Sequence, residues 1–431
     1  MNRMVKHYCM LLLLAALAVV FCLSGGMATD VYLSLSSHGQ RGQLGLAGFV
    51  PETPTVDESK IGRDIQETLR FDLLFSRYFN LLEDGPFYSG QEEQLKNWSE
   101  QGADMLICGK IKVKDRQISL TGQLFDIGSK QVIWQKTYNG DLNEYRHLAH
   151  ELNDDIILRF TGERGIAHTK IVFVNNHTGH KELYVADYDG TNIRQLTYDN
   201  SINVLPTWSP DGREIIYTTY RFGNPDLYAI SPTGDKLHPI SQRQGLNSAG
   251  AFSPDGSKIA LTLSRGGAPN LFLLSRTGEI MRQLTNGEDI GTSPSFAPNG
   301  QEIVYISDKP GYPQLYIMSL SGGNVRRLSA RGYCDSPAWS PRGDKIVFAM
   351  RENGSSYFDI CVYDLPTSRI DKLTQDEGNN ENPSWSPDGR FIVFSSTRSG
   401  RSEMYVIAVD GSGIRKLGSI SGSSFMPDWS Q

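Results

Sequence analysis

The sequence predicts an α/β N-terminal domain followed by an all-β six-bladed β-propeller, closed by pairing of the C-terminal strand with the first blade. Three observations carry that expectation. An aromatic-Ser-Pro-Asp-Gly module recurs at nearly constant spacing through the second half of the chain. Between modules the apolar residues mark four short strands, the content of one propeller blade. Before the first module the pattern alternates between helical and strand periodicity, as a compact α/β domain requires.

Residues 1–28 read as a signal peptide. Arg3 and Lys6 give a charged start, residues 10–23 form an almost unbroken apolar run, and Gly26-Met27-Ala28 supplies the small residues a signal peptidase reads. The run is short for a bilayer span of about 20 residues, so cleavage is expected in place of a retained anchor. Phe21 before Cys22 argues against lipid attachment, which needs a small residue there. Loss of Arg3 and Lys6 takes the formal charge from −6 to −8. A mildly acidic chain without a long basic run is a poor partner for nucleic acid or anionic lipid. Cleavage leaves Cys108, Cys334 and Cys361, too few for a disulfide framework.

Residues 29–161 are expected to form the α/β domain. Val31 to Leu35 alternates as a strand, and residues 44–50 read as another. Residues 57–79 carry Ile61, Ile65, Leu69, Leu73 and Phe75 at helical spacing, with Asp57 placed to cap. A second helix is expected over 91–101, strands over 105–107, 118–125 and 132–138, and a third helix over 143–160. His147 and His150 on that last helix lack a third ligand and read as a polar helix face, not a metal site. Residues 162–169 are the linker.

The propeller is expected over 170–431. Its anchors are Trp208-Ser-Pro-Asp-Gly212, Phe252-Ser-Pro-Asp-Gly256, Phe296-Ala-Pro-Asn-Gly300, Trp339-Ser-Pro-Arg-Gly343, Trp385-Ser-Pro-Asp-Gly389 and a truncated Trp429-Ser430. Successive steps of 44, 44, 43, 46 and 44 residues fall in the range of blade repeats. Pro-Asp-Gly makes a tight turn, Pro presetting φ and Gly taking the crowded position. A β-branched strand follows, then one with a fixed aromatic such as Tyr184, Tyr228, Phe272, Tyr316 or Tyr405. A short outer strand completes each period, seen over 194–197, 282–285, 326–329 and 371–374. The first period lacks an innermost strand and residues 425–430 supply one, so pairing the two removes open edges. The repeating Trp and Phe read as packing between blades. Asp187-Tyr-Asp189-Gly190 reads as a strand-to-strand turn, lacking the remaining ligands of a calcium loop.

No Gly-x-Ser-x-Gly, His-Glu-x-x-His or Gly-x-x-x-x-Gly-Lys occurs, and the propeller holds only His177, His180 and His238. No enzyme, cofactor-binding or catalytic site is therefore expected. The order of leader, α/β domain, linker (Thr161-Gly-Glu-Arg-Gly165 into Thr169-Lys-Ile-Val-Phe173) and six blades closely resembles the TolB family. That resemblance implies a periplasmic component of the Tol–Pal envelope system, supporting outer-membrane integrity and cell division. Family members bind the lipoprotein Pal at the mouth of the propeller channel and the inner-membrane protein TolA through the mature N-terminal segment. Outer-membrane lipoproteins and porins are further implied partners.

The loops entering the inner strands, at 203–206, 246–250, 290–294, 333–337, 379–383 and 423–427, converge on one end of the channel, where recognition usually sits. The expected Pal-binding mouth comprises Leu246, Asn247, Ser248, Ala249, Thr292, Tyr333, Asp335, Asn380, Glu381 and Phe425. Of these, Leu246, Asn247, Ala249 and Thr292 match family positions at that contact, and the family often carries His where Leu246 stands. Asp289, Asp335 and Glu381 make the rim acidic, which also nominates the channel as a Ca²⁺ site. Thr29, Asp30, Val31, Tyr32, Leu33, Ser34 and Leu35 are the expected TolA-binding arm, able to add as a strand to a partner sheet. Two other readings compete: a sugar- or small-molecule-binding propeller, and a degenerate prolyl-peptidase-like hydrolase.

Overall fold

The computed structural model describes residues 42–431 apart from 53–55, 84, 87, 266 and 330. The leader, the 31–35 strand and the 29–35 arm lie outside the described residues. In the α/β domain, strands β1 (Gly42–Pro51), β2 (Phe79–Leu82), β3 (Met105–Lys114), β4 (Gln117–Asp126) and β5 (Gln131–Asp141) form one sheet in the order β2-β1-β3-β4-β5. β1 runs parallel to both β2 and β3, and β3-β4-β5 is an antiparallel meander. Helices α1 (Val56–Ser76) and α3 (Tyr145–Thr161) cover one face, sealing Leu69, Leu73, Ile107, Leu120 and Leu152. The short helix α2 (Glu92–Glu100) covers the other through Leu95 and Trp98, whose indole donates to the Pro86 carbonyl.

Two expectations here need correction. The first helix stops at Ser76, not at Phe79, because Arg77 takes a left-handed φ of 58°. Phe79 is then free to open β2, pair with Gly42 and bury itself against Phe160. Asp57 lies inside the first turn, where a carboxylate meets the positive end of the helix dipole, and does not precede it.

Six four-stranded antiparallel sheets follow. The first unites Lys170–Asn175, Glu182–Asp187 and Arg194–Gln195 with Ser424–Trp429 from the far end of the propeller, in the register Phe425 to Val174 and Trp429 to Ile171. The ring is thus closed by the C-terminal strand. Between neighbouring blades the aromatic anchors bury themselves in separate apolar clusters, Trp208 with Tyr228 in one and Trp385 with Tyr405 in another.

The outermost strands are shorter or displaced relative to the sequence reading, ending before Thr197, Thr285, Ser329 and Thr374. Those hydroxyls accept the backbone N–H of Leu183, Leu271, Leu315 and Ile360 at 2.9–3.0 Å. A side chain thereby takes the place of one ladder bond.

The α/β domain docks on the face formed by the Pro-Asp-Gly turns, against blades one and six. Phe75 stacks on Phe391 at 4.3 Å and meets Tyr188 edge-on at 5.2 Å. Arg390 donates to the Ser76 carbonyl at 2.8 Å. At the linker, Gly162 ends α3 with φ 78°. The buried Asp154 carboxylate then accepts the N–H groups of Ala167 and His168, so the linker is pinned to the helix. Among the described residues, the α/β domain leaves the opposite face, where the chain enters each innermost strand, uncovered.

Candidate functional site

Each innermost strand repeats one local design. A buried residue (Asn203, Asn247, Gly291, Cys334, Asn380 or Ser424) stands two positions before one with a left-handed φ near 50°: Leu205, Ala249, Ser293, Ser336, Asn382 and Met426. The strand register slips at each of these points, as at a β-bulge. A proline follows in every blade except the third, where Gly250 stands; the bulge tolerates a residue that cannot donate to the ladder. The bulged residues and the prolines line the upper channel, a cavity of about 160 Å³.

The waist below consists of Thr207, Ala251, Ser295, Ala338, Ser384 and Asp428. Asp428 accepts the Trp208 N–H and the Ser384 hydroxyl, both at 2.8 Å, bridging the closing strand to the blades on either side. Burial pushes its carboxyl up to about 6, against those donors. The lower end, about 290 Å³, is walled by the aromatic anchors and by prolines of the tight turns.

At the mouth the expected residues separate into two groups. Leu246, Ser248, Ala249, Thr292, Asp335, Glu381 and Phe425 are half-buried around the opening, and Tyr333 is exposed. The Leu246 N–H donates to Ser264 Oγ, Thr218 Oγ1 donates to Ser248 Oγ, and Thr262 Oγ1 to Thr292 Oγ1. Tyr333 meets Phe358 edge-on at 5.7 Å, and Arg351 lies over both rings; Lys181 lies over Phe425. Asn247 and Asn380, by contrast, are wholly buried and present no amide to the channel. Asn247 donates to the carbonyls of Pro225, Arg243 and Gly245 and accepts from Ser241 and Arg243. Asn380 holds the Phe358 and Gly378 carbonyls and accepts from Ser396 and Arg398. Their part is to fix the loop geometry. Asn380→Ala leaves these groups unpaired and is expected to cost about 2–3 kcal/mol in urea unfolding, with the mouth loops loosened.

Asp335 and Glu381 sit on neighbouring blades. Burial raises both carboxyls, and the charge of Asp335 raises Glu381 further. Asp335 accepts only the Ser336 N–H, and no basic side chain among the described residues offsets either group. Nor, among the described residues, do three His, Cys, Asp or Glu side chains converge as a metal site.

Sequence reasoning missed the apolar crown on this same face. Tyr198, Ile202, Tyr220, Phe222, Ile290, Tyr312 and Tyr357 are exposed there together with Tyr333, Tyr198 by 71% and Phe222 by 61%. The available signal was a large apolar residue inside polar loops that need none. His150 was also misread. It is buried, with its ring bonded to Asp72 of α1 and edge-on to Tyr188 of the propeller, because both elements cover the helix face that carries it. The Asp187–Gly190 segment is a strand-to-strand turn as expected, closed by Gly190 N–H to the Asp187 carbonyl at 2.8 Å.

Comparison with known proteins places both domains. Residues 158–431 match the family described as the TolB beta propeller domain, and residues 39–133 match the TolB amino-terminal domain. The chain is 36% identical over 193 residues to the Tol-Pal system protein TolB of Geobacter sulfurreducens, 43% of this chain and 44% of that one. With its counterpart in Geobacter metallireducens it shares 38% over 194 residues, 41% of this chain and 45% of that one. The matched region thus spans under half the length of either relative. The crystal structure of TolB from Acinetobacter baumannii superposes with a TM-score of 0.78 at 24% identity, covering 91% of this chain and 97% of that one, and shows the shared fold. With its propeller and amino-terminal region both matched, in that order, the chain belongs to the TolB family.

Proposed function

We propose that this chain is a non-enzymatic, periplasmic protein-binding component of the Tol–Pal system. Its channel mouth holds the lipoprotein Pal, and residues 29–35 hold TolA. One observation carries the reading of the mouth. The propeller face left free by the α/β domain gathers an apolar crown around two half-buried carboxylates that have no cation of their own. Exposed aromatics with uncompensated charge at their centre are what a protein interface covers. At the mouth the channel favours protein over small-molecule binding: the upper cavity is smaller than most ligand pockets, and its lining holds no aromatic ring.

The test is binding of purified Pal to the mature chain. Asp335→Lys with Glu381→Lys is expected to weaken the affinity at least ~10-fold, because like or unpaired charge at a closed interface costs more than 1.4 kcal/mol. The melting temperature should hold, since the carboxylates removed are already strained by burial. The isosteric pair Asp335→Asn and Glu381→Gln separates charge from shape. Equal affinity in wild type and both variants would overturn the mouth as the Pal site. For the arm, deletion of residues 29–40 is expected to abolish capture of TolA in a pull-down, and undiminished capture would rule it out.

A further inference from the structure

Among the described residues, seven buried side-chain nitrogen or oxygen atoms lack a hydrogen-bond partner, and five of them belong to Arg146, His150, Asn153 and Arg415 at the junction between the two domains. Buried polar groups are ordinarily paired, so their concentration at one interface needs an explanation. The surroundings are highly charged. Asp72 on α1 accepts the Tyr188 hydroxyl from the propeller at 2.5 Å and meets His150 Nδ1 at 2.7 Å. Asp189, beside Tyr188 in the propeller turn, accepts Arg146 Nη2 at 2.6 Å. The second ring nitrogen, His150 Nε2, stops 3.9 Å from Asp189 Oδ2, beyond hydrogen-bond reach. Arg415 from blade six lies 3.8 Å over Phe75 and 4.6 Å over Phe71, with two of its nitrogens unpaired.

A histidine with one nitrogen bound to a carboxylate in its own domain and the other aimed at a carboxylate across the junction has two binding states. Neutral, it donates through Nδ1 to Asp72 and offers Asp189 nothing. Protonated, it presents an N–H to Asp189, and a small ring shift completes a bond from α3 to the propeller. We propose that the domain junction is a proton-operated latch, in which protonated His150 ties the α/β domain to the turn carrying Asp189 and loss of that proton loosens the docking.

The groups facing His150 fit this role. Asp72 comes from α1, Tyr188 and Asp189 from the propeller turn, Arg146 from α3 itself, with Asp154 and Arg415 acting through Asp72 and Tyr188. Burial works against the imidazolium, but the bond to Asp72 and the charges of Asp72 and Asp189 outweigh it, and the His150 pKa is raised. Asp72 stays with His150 when the domains part, so the charge of Asp189 is what makes the docked state hold the proton more tightly, and that share of the docking free energy is lost as pH climbs through the docked pKa. The aromatic contacts of Phe75 and Phe391 do not titrate, so the domains stay tethered while their fit relaxes.

Spin labels on the full mature chain at Lys114→Cys and Met281→Cys, both exposed, report the interdomain distance while the native thiols stay buried. Wild type is expected to give one narrow distance population near pH 6. By about pH 9 the ratio of docked to undocked molecules should fall at least ~3-fold, as the proton's share of the docking is lost. His150→Gln, which keeps the bond to Asp72 without the charge, should show the high-pH distribution throughout. Asp189→Asn, leaving His150 intact, should shrink the pH response by half or more. A distribution in wild type that does not change across this range overturns the latch, as does an unaltered pH response in the two variants.

Discussion

Deleting residues 424–431 is expected to abolish cooperative unfolding of the propeller. That segment supplies the strand that closes the ring, paired with Lys170–Asn175. It also carries Trp429, 1% exposed, whose indole donates to Thr169 Oγ1 at 2.8 Å, and Ser430, whose hydroxyl accepts the Lys170 N–H at 2.9 Å. Its loss leaves Val172 and Val174 on a bare apolar strand edge. Truncating a buried Trp alone costs about 3–5 kcal/mol, and removing the ladder and the Asp428 bridge as well exceeds the ~5–15 kcal/mol that keeps a domain folded. Calorimetry of the truncated chain should show a broad, low transition, and Trp429→Ala a cooperative one at reduced temperature. A melting temperature unchanged by the deletion would contradict closure.

Asp428→Asn is expected to flatten the pH dependence of stability and to stabilise the propeller above neutrality. The folded carboxyl titrates at about 6, above its ordinary value, so the folded state favours the protonated form. Its stabilising contribution is then complete below about pH 4 and disappears as pH rises through about 6. The penalty for burying the charge at pH 8 is on the order of 3 kcal/mol, several degrees in melting temperature. An asparagine keeps an oxygen for the Trp208 N–H and turns its NH₂ toward Ser384 Oγ, so the bridge survives without the charge. Thermal scans at about pH 5 and about pH 8 should show wild type losing stability on alkalinisation and the variant losing less. Identical shifts in both proteins would place the titration elsewhere, with Asp72, Glu182, Asp335 and Glu381 the other raised carboxyls among the described residues.

What the sequence made legible follows from where its information is local. The blade count rested on turn chemistry that each repeat states for itself, as when Gly212 takes φ 66° and closes on the Ser209 carbonyl. Ring closure was legible too, because a lone inner strand at one end answers a missing one at the other. That the loops entering the inner strands gather at one end of the channel was legible by the same counting, but not which of their side chains are buried. Asn247 and Asn380 look like ordinary loop amides, and only the folded loop shows them saturated by their own backbone. The bulges were invisible because Leu205, Ala249 and Met426 have no preference for a left-handed φ, which the closed ring imposes on them. His150 was misplaced for a comparable reason. Helical spacing reports a face, and what covers it was set by residues such as Tyr188 that lie far along the chain.

The mouth of the closed ring is the centre of this account, and amide hydrogen exchange of the mature chain with and without purified Pal tests it most directly. Slowed exchange is expected in the loops at 246–250, 290–294, 333–337 and 379–383, with the Pro-Asp-Gly turns beneath the α/β domain unaffected. Protection confined to those turns or to the α/β domain, or no protection under saturating Pal, would contradict it.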